Sequence, residues 1–219
     1  GIVSVSGTGT ITSENTNGTI QMNGATTLKI LDSITISNTG TGSGIYNATA
    51  NRIEVCGGSI TGEYAINNQG TGAVYISGNP SIFGQKSGIY MNNTAGIIYA
   101  YAYDDSSSTY TGNQIKVYCN PNAYTSRSKV VTSGTESKFV SNLTGFALIA
   151  DGNDLFLDLE IIINSSGNIN KSYDGKSSSI EMTVENGLEN LSVSYQWYNQ
   201  NDIVMEGAVS YTHLTLPTI

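Results

Sequence analysis

Charge is what this sequence has least of. Asp, Glu, Lys and Arg make up 12% of 219 residues, and nine basic against seventeen acidic side chains leave a formal net charge of −8. An acidic balance without a basic cluster argues against a nucleic-acid or anionic-membrane partner, since both need lysine and arginine facing phosphate. Histidine is nearly missing: His213 stands alone, so a serine triad lacks its base. The two cysteines, Cys56 and Cys119, lie far apart without CxxC spacing, and one such pair reads as buried thiols rather than a disulfide staple. Glu, Lys, Leu and Ala are sparse, which removes the usual material of amphipathic helices. No apolar run approaches the ~18 residues of a membrane span.

What fills the space is Gly, Ser, Thr and Asn, with 25 glycines and fourteen tyrosines, around a hydrophobic content of 38%. Thr and Tyr favour the strand pleat, while Gly and Asn supply turns. Apolar residues recur at regular places, which argues against disorder. Three series advance together along the chain. The first is Val3/Val5, Leu28/Ile30, Ile53/Val55, Val74/Ile76 and Ile97/Tyr99. The second is Ile20, Ile45, Ile66 and Ile89. The third is Ile11, Ile34/Ile36, Ile60 and Ile82. Each touch is short, with apolar side chains at i and i+2, so one strand face points inward. Three short strands with their turns account for one coil of about 21 to 25 residues, the step of the series. A single coil cannot bury its apolar face; stacked coils bury it against each other. The expectation is an all-β chain: a right-handed parallel β-helix of about four coils over roughly 1–105, with an irregular closing coil or cap to 158, then a truncated β-sandwich.

The cap is expected from Ile115–Tyr118, Lys129–Val131 and Lys138–Val140, closed by a hairpin through Phe146–Ala150 and Leu155–Leu157. Its turn, Asp151-Gly152-Asn153-Asp154, carries close-spaced oxygen ligands, and with Asp158 a calcium loop is conceivable. Asp-Gly in a hairpin turn explains the same string more simply. A second unit is expected over 159–208, with a turn at Tyr173-Asp174-Gly175-Lys176, a strand at Ser179–Val184, and Tyr195-Gln196-Trp197-Tyr198 following.

On these repeats, the first part resembles the right-handed parallel β-helix, pectin-lyase-like surface proteins of Gram-positive gut bacteria. The second unit resembles a partial bacterial immunoglobulin-like repeat, with Trp197 packing at the sandwich centre. The resemblance implies a secreted or cell-wall-attached, extracellular protein, stalk- or adhesin-like, with glycans or a host or wall surface as partner and no cofactor. The stretch Val209–Thr218 resembles a translated sequencing adaptor. It is set aside from fold reasoning, and His213 with it. The chain opens in mid-pattern, so a fragment is expected.

Candidate ligand-contacting residues are Tyr99, Tyr101, Tyr103, Asp104 and Asp105. Alternation puts the three tyrosines on one face and Ala100 and Ala102 on the other. If the alanines face the core, three phenol rings form an exposed stripe suited to sugars. The first series, continued through Ile97/Tyr99, instead turns Tyr99 inward and abolishes the stripe. Asp104-Asp105 beside the rings could hold Ca²⁺ or a sugar, or form a solvated turn. No metal site and no catalytic pair stand out: glycoside hydrolysis needs two opposed carboxylates, and Glu54 and Glu63 do not share a register. The alternative class is a fragment of a β-helix polysaccharide lyase or glycoside hydrolase whose active coil is missing.

Overall fold

The computed structural model describes residues 1–24 and 26–159 in full, together with the backbone of four short strands beyond them. The chain divides into two compact units, Gly1–Leu159 and Glu160–Ile219. The first is an all-β solenoid, and the described residues contain no helix.

One wall of the solenoid is a ladder of six parallel strands: β1 (Ile2–Val5), β4 (Thr27–Ile30), β7 (Ile53–Val55), β9 (Val74–Ile76), β11 (Ile98–Tyr99) and β15 (Ser128–Thr132). A second sheet forms the remaining two sides. Its first side holds β2 (Thr8–Ser13), β5 (Ser33–Asn38) and the opening halves of β8 (Ser59–Asn68) and β10 (Ser81–Met91). Its other side holds β3 (Gly18–Met22), β6 (Ser43–Asn47), the closing halves of β8 and β10, β14 (Ile115–Cys119) and β16 (Phe139–Ser141). The transition within β8 passes Gly62, where a Cβ would come within 2.6 Å of the Gly44 backbone nitrogen; only glycine lets the two coils approach so closely.

The count is six coils rather than about four. The segments Ile115–Tyr118, Lys129–Val131 and Lys138–Val140, expected in an irregular cap, are regular parallel rungs. Ile89 pairs with Val117, Ile98 with Val131 and Ile115 with Phe139. Their rhythm is hidden in the sequence by a hairpin inserted in the fifth coil, β12 (Tyr101–Ala102) with β13 (Asp105–Thr109). It stretches the step from Ile98 to Val131 to 33 residues.

The inner columns follow two of the series as expected. Ile20, Ile45, Ile66 and Ile89 are stacked in register, as are Ile11, Ile36, Ile60 and Ile82. The first series runs true through Val3, Leu28, Ile53 and Val74, then departs. Val74 pairs with Ile98, not Ile97. The turn at 92–96 is one residue longer than the alignment assumed. Because strand side chains alternate with period two, that slip exchanges inside for outside. Ile98 and Ala100 are buried and Tyr99 is turned out.

Most polar groups that enter the core are satisfied, Asn51 Nδ2 and Thr132 Oγ1 being buried without a partner among the described residues. Asn47 Nδ2 donates to Asn68 Oδ1 at 2.8 Å and to the Asn51 carbonyl at 2.8 Å, and Asn68 Nδ2 donates to the Gly72 carbonyl at 2.7 Å. These amides hold consecutive turns in register, as buried polar groups must if they are not to destabilise the stack. Cys56 and Cys119 are free thiols. Cys119 stands in the same inner column as Met91, and burial pushes its thiol up to about 12.

The last rung, β15, pairs antiparallel with β18 (Asp154–Leu159), which pairs with β17 (Phe146–Asp151). This is the hairpin expected to close the stack, and it ends that sheet with an antiparallel edge. Asp151 and Asp154 pair directly, leaving Gly152 (φ +63°) and Asn153 as a two-residue turn. Asp151 binds Arg127 Nη2 at 2.7 Å and Asp154 binds Lys129 Nζ at 3.0 Å, and no metal cluster is present among the described residues.

In the second unit, β19 (Ile161–Ser165) pairs antiparallel with β21 (Met182–Asn186), and β20 (Ser179–Ile180) with β22 (Leu214–Thr215). The last strand falls within the stretch set aside as adaptor-like. The immunoglobulin-like motif residues Tyr173–Lys176 and Tyr195–Tyr198 lie outside the described residues.

Candidate functional site

In β4, β7 and β9 two apolar residues point in, as Ile98 and Ala100 do around Tyr99, so the residue between them points out. Register then stacks the outward residues: Lys29 beside Glu54, Glu54 beside Tyr75, Tyr75 beside Tyr99, Tyr99 beside Thr132. Parallel rungs are about 4.8 Å apart, the spacing at which planar rings stack and ion pairs close. Tyr75 and Tyr99 stack with centroids 4.4 Å apart and planes within 6°.

The inserted hairpin supplies the rest. Tyr101 stands edge-on to Tyr99 at 5.6 Å and Tyr103 edge-on to Tyr75 at 5.1 Å. The hairpin tip leans back across earlier rungs. Arg52 lies over the Tyr103 ring at 3.4 Å, and Asp104 Oδ2 accepts from Lys29 Nζ at 3.2 Å. Glu54 is the hub: 3% exposed, its Oε1 takes Arg52 Nε at 2.8 Å and its Oε2 faces Lys29 Nζ at 3.3 Å. A carboxylate so buried is stable only when paired. Here two cations and two carboxylates balance, and the rings seal their flank.

Titration follows this geometry. Hydrogen bonds from Lys29 to Asp104, then to Glu54, raise the Lys29 ammonium above its ordinary value. Burial raises the Tyr75 and Tyr101 phenols, and the neighbouring tyrosines add to it.

Of the five residues singled out from sequence, the fold gathers Tyr99, Tyr101, Tyr103 and Asp104. Asp105 turns away into its own strand. It accepts from the Ser107 amide and hydroxyl and from the Ser108 hydroxyl, and these bonds hold its carboxyl below the usual range, Ser107 first. Sequence reading missed Lys29, Arg52, Glu54 and Tyr75. The signal for three of them was present: Lys29, Glu54 and Tyr75 are the middle residues of Leu28/Ile30, Ile53/Val55 and Val74/Ile76, and are therefore outward and adjacent.

The rings pack on one another rather than lying flat on the surface. Tyr75 and Tyr99 spend facing surfaces on their mutual stack, and Arg52 covers a face of Tyr103. What the patch presents outward includes Tyr103, the Asp104 carboxylate, 70% exposed, and parts of the Lys29 and Arg52 side chains. No family model, curated protein or solved structure matches the chain.

Proposed function

We propose that this chain is a non-catalytic, secreted or cell-wall-attached surface protein, stalk- or adhesin-like, whose solenoid displays side chains to a ligand such as a glycan. The observation that carries the reading is the state of Glu54 and Lys29. The two carboxylates carried on strands of the first four coils are spent on cations, Glu54 on Arg52 and Lys29 and Glu63 on Lys86, while Glu14 and Asp32 stand in turns. A rigid column whose surface charges neutralise each other suits display more than turnover.

A second reading has a specific observation behind it. Lys29, Arg52, Glu54 and Asp104 converge on one wall, and a polysaccharide lyase or hydrolase of this architecture would use such a group. The electrostatics favour the first reading. A proton-abstracting lysine needs a lowered pKa, whereas Lys29 is held charged by two carboxylates. Glu54 is covered and already doubly paired, and the exposed Asp104 carboxylate is paired with Lys29.

The test is a turnover assay of the full chain on neutral and uronate-containing polysaccharides, reading reducing ends and unsaturated products. No turnover is expected. A rate abolished in Glu54→Gln would overturn the proposal in favour of the enzyme. A glycan array then asks whether the tyrosine patch takes part: binding weakened in Tyr101→Ala supports glycan contact there, and unchanged binding rejects it.

A further inference from the structure

Phe83 has no structural reason to be where it is. It lies in the middle of the regular coils, outward on β10, and is 66% exposed. Among the described residues the other strongly exposed large apolar side chains sit at the first coil, on the inserted hairpin or on the closing hairpin: Ile2, Val3 and Ile11, Tyr103, and Ile149. Among the described residues Phe83 has no aromatic or cation partner on its ring.

The surface around it is regular. Inward Ile34, Ile36, Ile60 and Ile82 fix the outward residues between and beside them. One row reads Thr10, Thr35, Ser59, Ser81; the next reads Thr12, Ser37, Thr61, Phe83. Hydroxyls therefore recur about every 4.8 Å along the stack, in rows about 6.7 Å apart across it. Ser37 and Thr61 bond each other at 3.0 Å. The remaining hydroxyls of the two rows show no side-chain hydrogen bond among the described residues. No charged side chain stands in either row. Glu63 and Lys86, the nearest acid and base along β8 and β10, pair with each other at 2.5 Å.

We infer that this face is a binding surface for an extended, uncharged polysaccharide chain. A neutral face favours a neutral partner, since a charged polymer would lose hydration there without gaining a counter-charge. The ligand must offer hydroxyls at repeating intervals to match donors and acceptors fixed on rungs. It must also offer an apolar C–H face, because the exposed Phe83 ring rewards that contact. A sugar polymer presents both at once. The inference rests on the reading of the chain as a display scaffold, but uses a different wall from the tyrosine patch.

The test is depletion binding of the full chain to insoluble cellulose, chitin and β-1,3-glucan, with polygalacturonate as the charged control, at low and high salt. Binding to at least one uncharged polymer, insensitive to salt, is expected. Phe83→Ala should weaken it about tenfold, and Thr35→Val should weaken it less. Phe83 is exposed, so an unchanged melting temperature will show that Phe83→Ala folds. Failure to bind any uncharged polymer overturns the inference, as does binding that survives Phe83→Ala but is lost in Tyr101→Ala. Inhibition of ice growth without polysaccharide binding would reassign the hydroxyl lattice to ice and equally overturn it. Turnover in the preceding assay would sink the scaffold reading without touching this result, so the two failures are distinguishable.

Discussion

On one wall of this solenoid the outward residues of successive rungs are Lys29, Glu54, Tyr75 and Tyr99; on the next they are Thr35, Ser59 and Ser81, with Phe83 beside them. The two walls share one core and one alternation. They differ in what register does to like neighbours. On the first wall, adjacent rungs place long side chains within reach, so rings stack, ions pair and the surface satisfies itself. On the second, the side chains are too short for most to reach the next rung, and their hydroxyls stay open. The first wall has spent most of its polar chemistry on itself, and the second has not.

The comparison can be broken at the core. Ile60→Ala, at a fully buried position of the third inner column, should cost about 2–5 kcal/mol, the range for emptying such a site. Both walls should loosen together, read as a lower denaturation midpoint and loss of any ligand binding. Retention of either wall's binding at reduced stability would show that the walls are less coupled than the shared core implies.

The next effect separates the walls. Glu54→Ala strands Arg52 against the tyrosine patch and leaves Lys29 with Asp104 alone. Deleting one partner of a buried pair is strongly destabilising, but Lys29 and Arg52 are about a quarter exposed and can regain some water, so about 2 kcal/mol is expected. Chemical denaturation measures the loss. Polysaccharide binding through Phe83 should persist below the new midpoint.

Alkaline pH should act on this wall and on the phenols of Tyr64, Tyr90, Tyr110 and Tyr124 that burial raises elsewhere, but not on the hydroxyl rows. Lys29 is raised in the folded protein, so its contribution is complete below the ordinary lysine value of 10.5 and is lost as pH rises through the folded value. Tyr75 and Tyr101 are raised by burial, so unfolded phenols ionise first and stability falls once pH passes their ordinary 10.0. Thermal melts between pH 9 and 12 should show this fall, and Lys29→Met should make it shallower. The hydroxyl wall has nothing that titrates there.

The smallest expected effect is Thr35→Val. The site is half-buried, and a β-branched exchange on a strand surface falls within about 0.5 kcal/mol. Unchanged stability with weakened polymer binding sharpens the contrast between walls; a large loss of stability would mean that the Thr35 hydroxyl is structural.

Much of this was legible in the sequence because period two and a constant coil length leave a double signature. The columns from Ile20 to Ile89 and from Ile11 to Ile82 needed nothing more. The reading failed where coil length changed. One extra residue in the turn before Ile98 reversed the face of Tyr99, and the inserted hairpin hid two further coils. The site was harder, since Tyr103 meets Arg52 and Asp104 meets Lys29 only because the hairpin tip folds back over rungs some 50 and 75 residues earlier. No local pattern encodes that contact. The hydroxyl wall was visible as Thr-x-Thr and Ser-Ile-Thr strings, but these read as ordinary strand composition until register aligns them.

Hydroxyl-radical footprinting of the intact chain tests both walls at once. The account predicts strong labelling of Phe83 and Tyr103, intermediate labelling of Tyr75, Tyr99 and Tyr101, and protection of Ile82 and Ile98. Labelled Ile98 with a protected Tyr99, or a protected Phe83 beside a labelled Ile82, would mean the opposite parity and would contradict the two-walled solenoid.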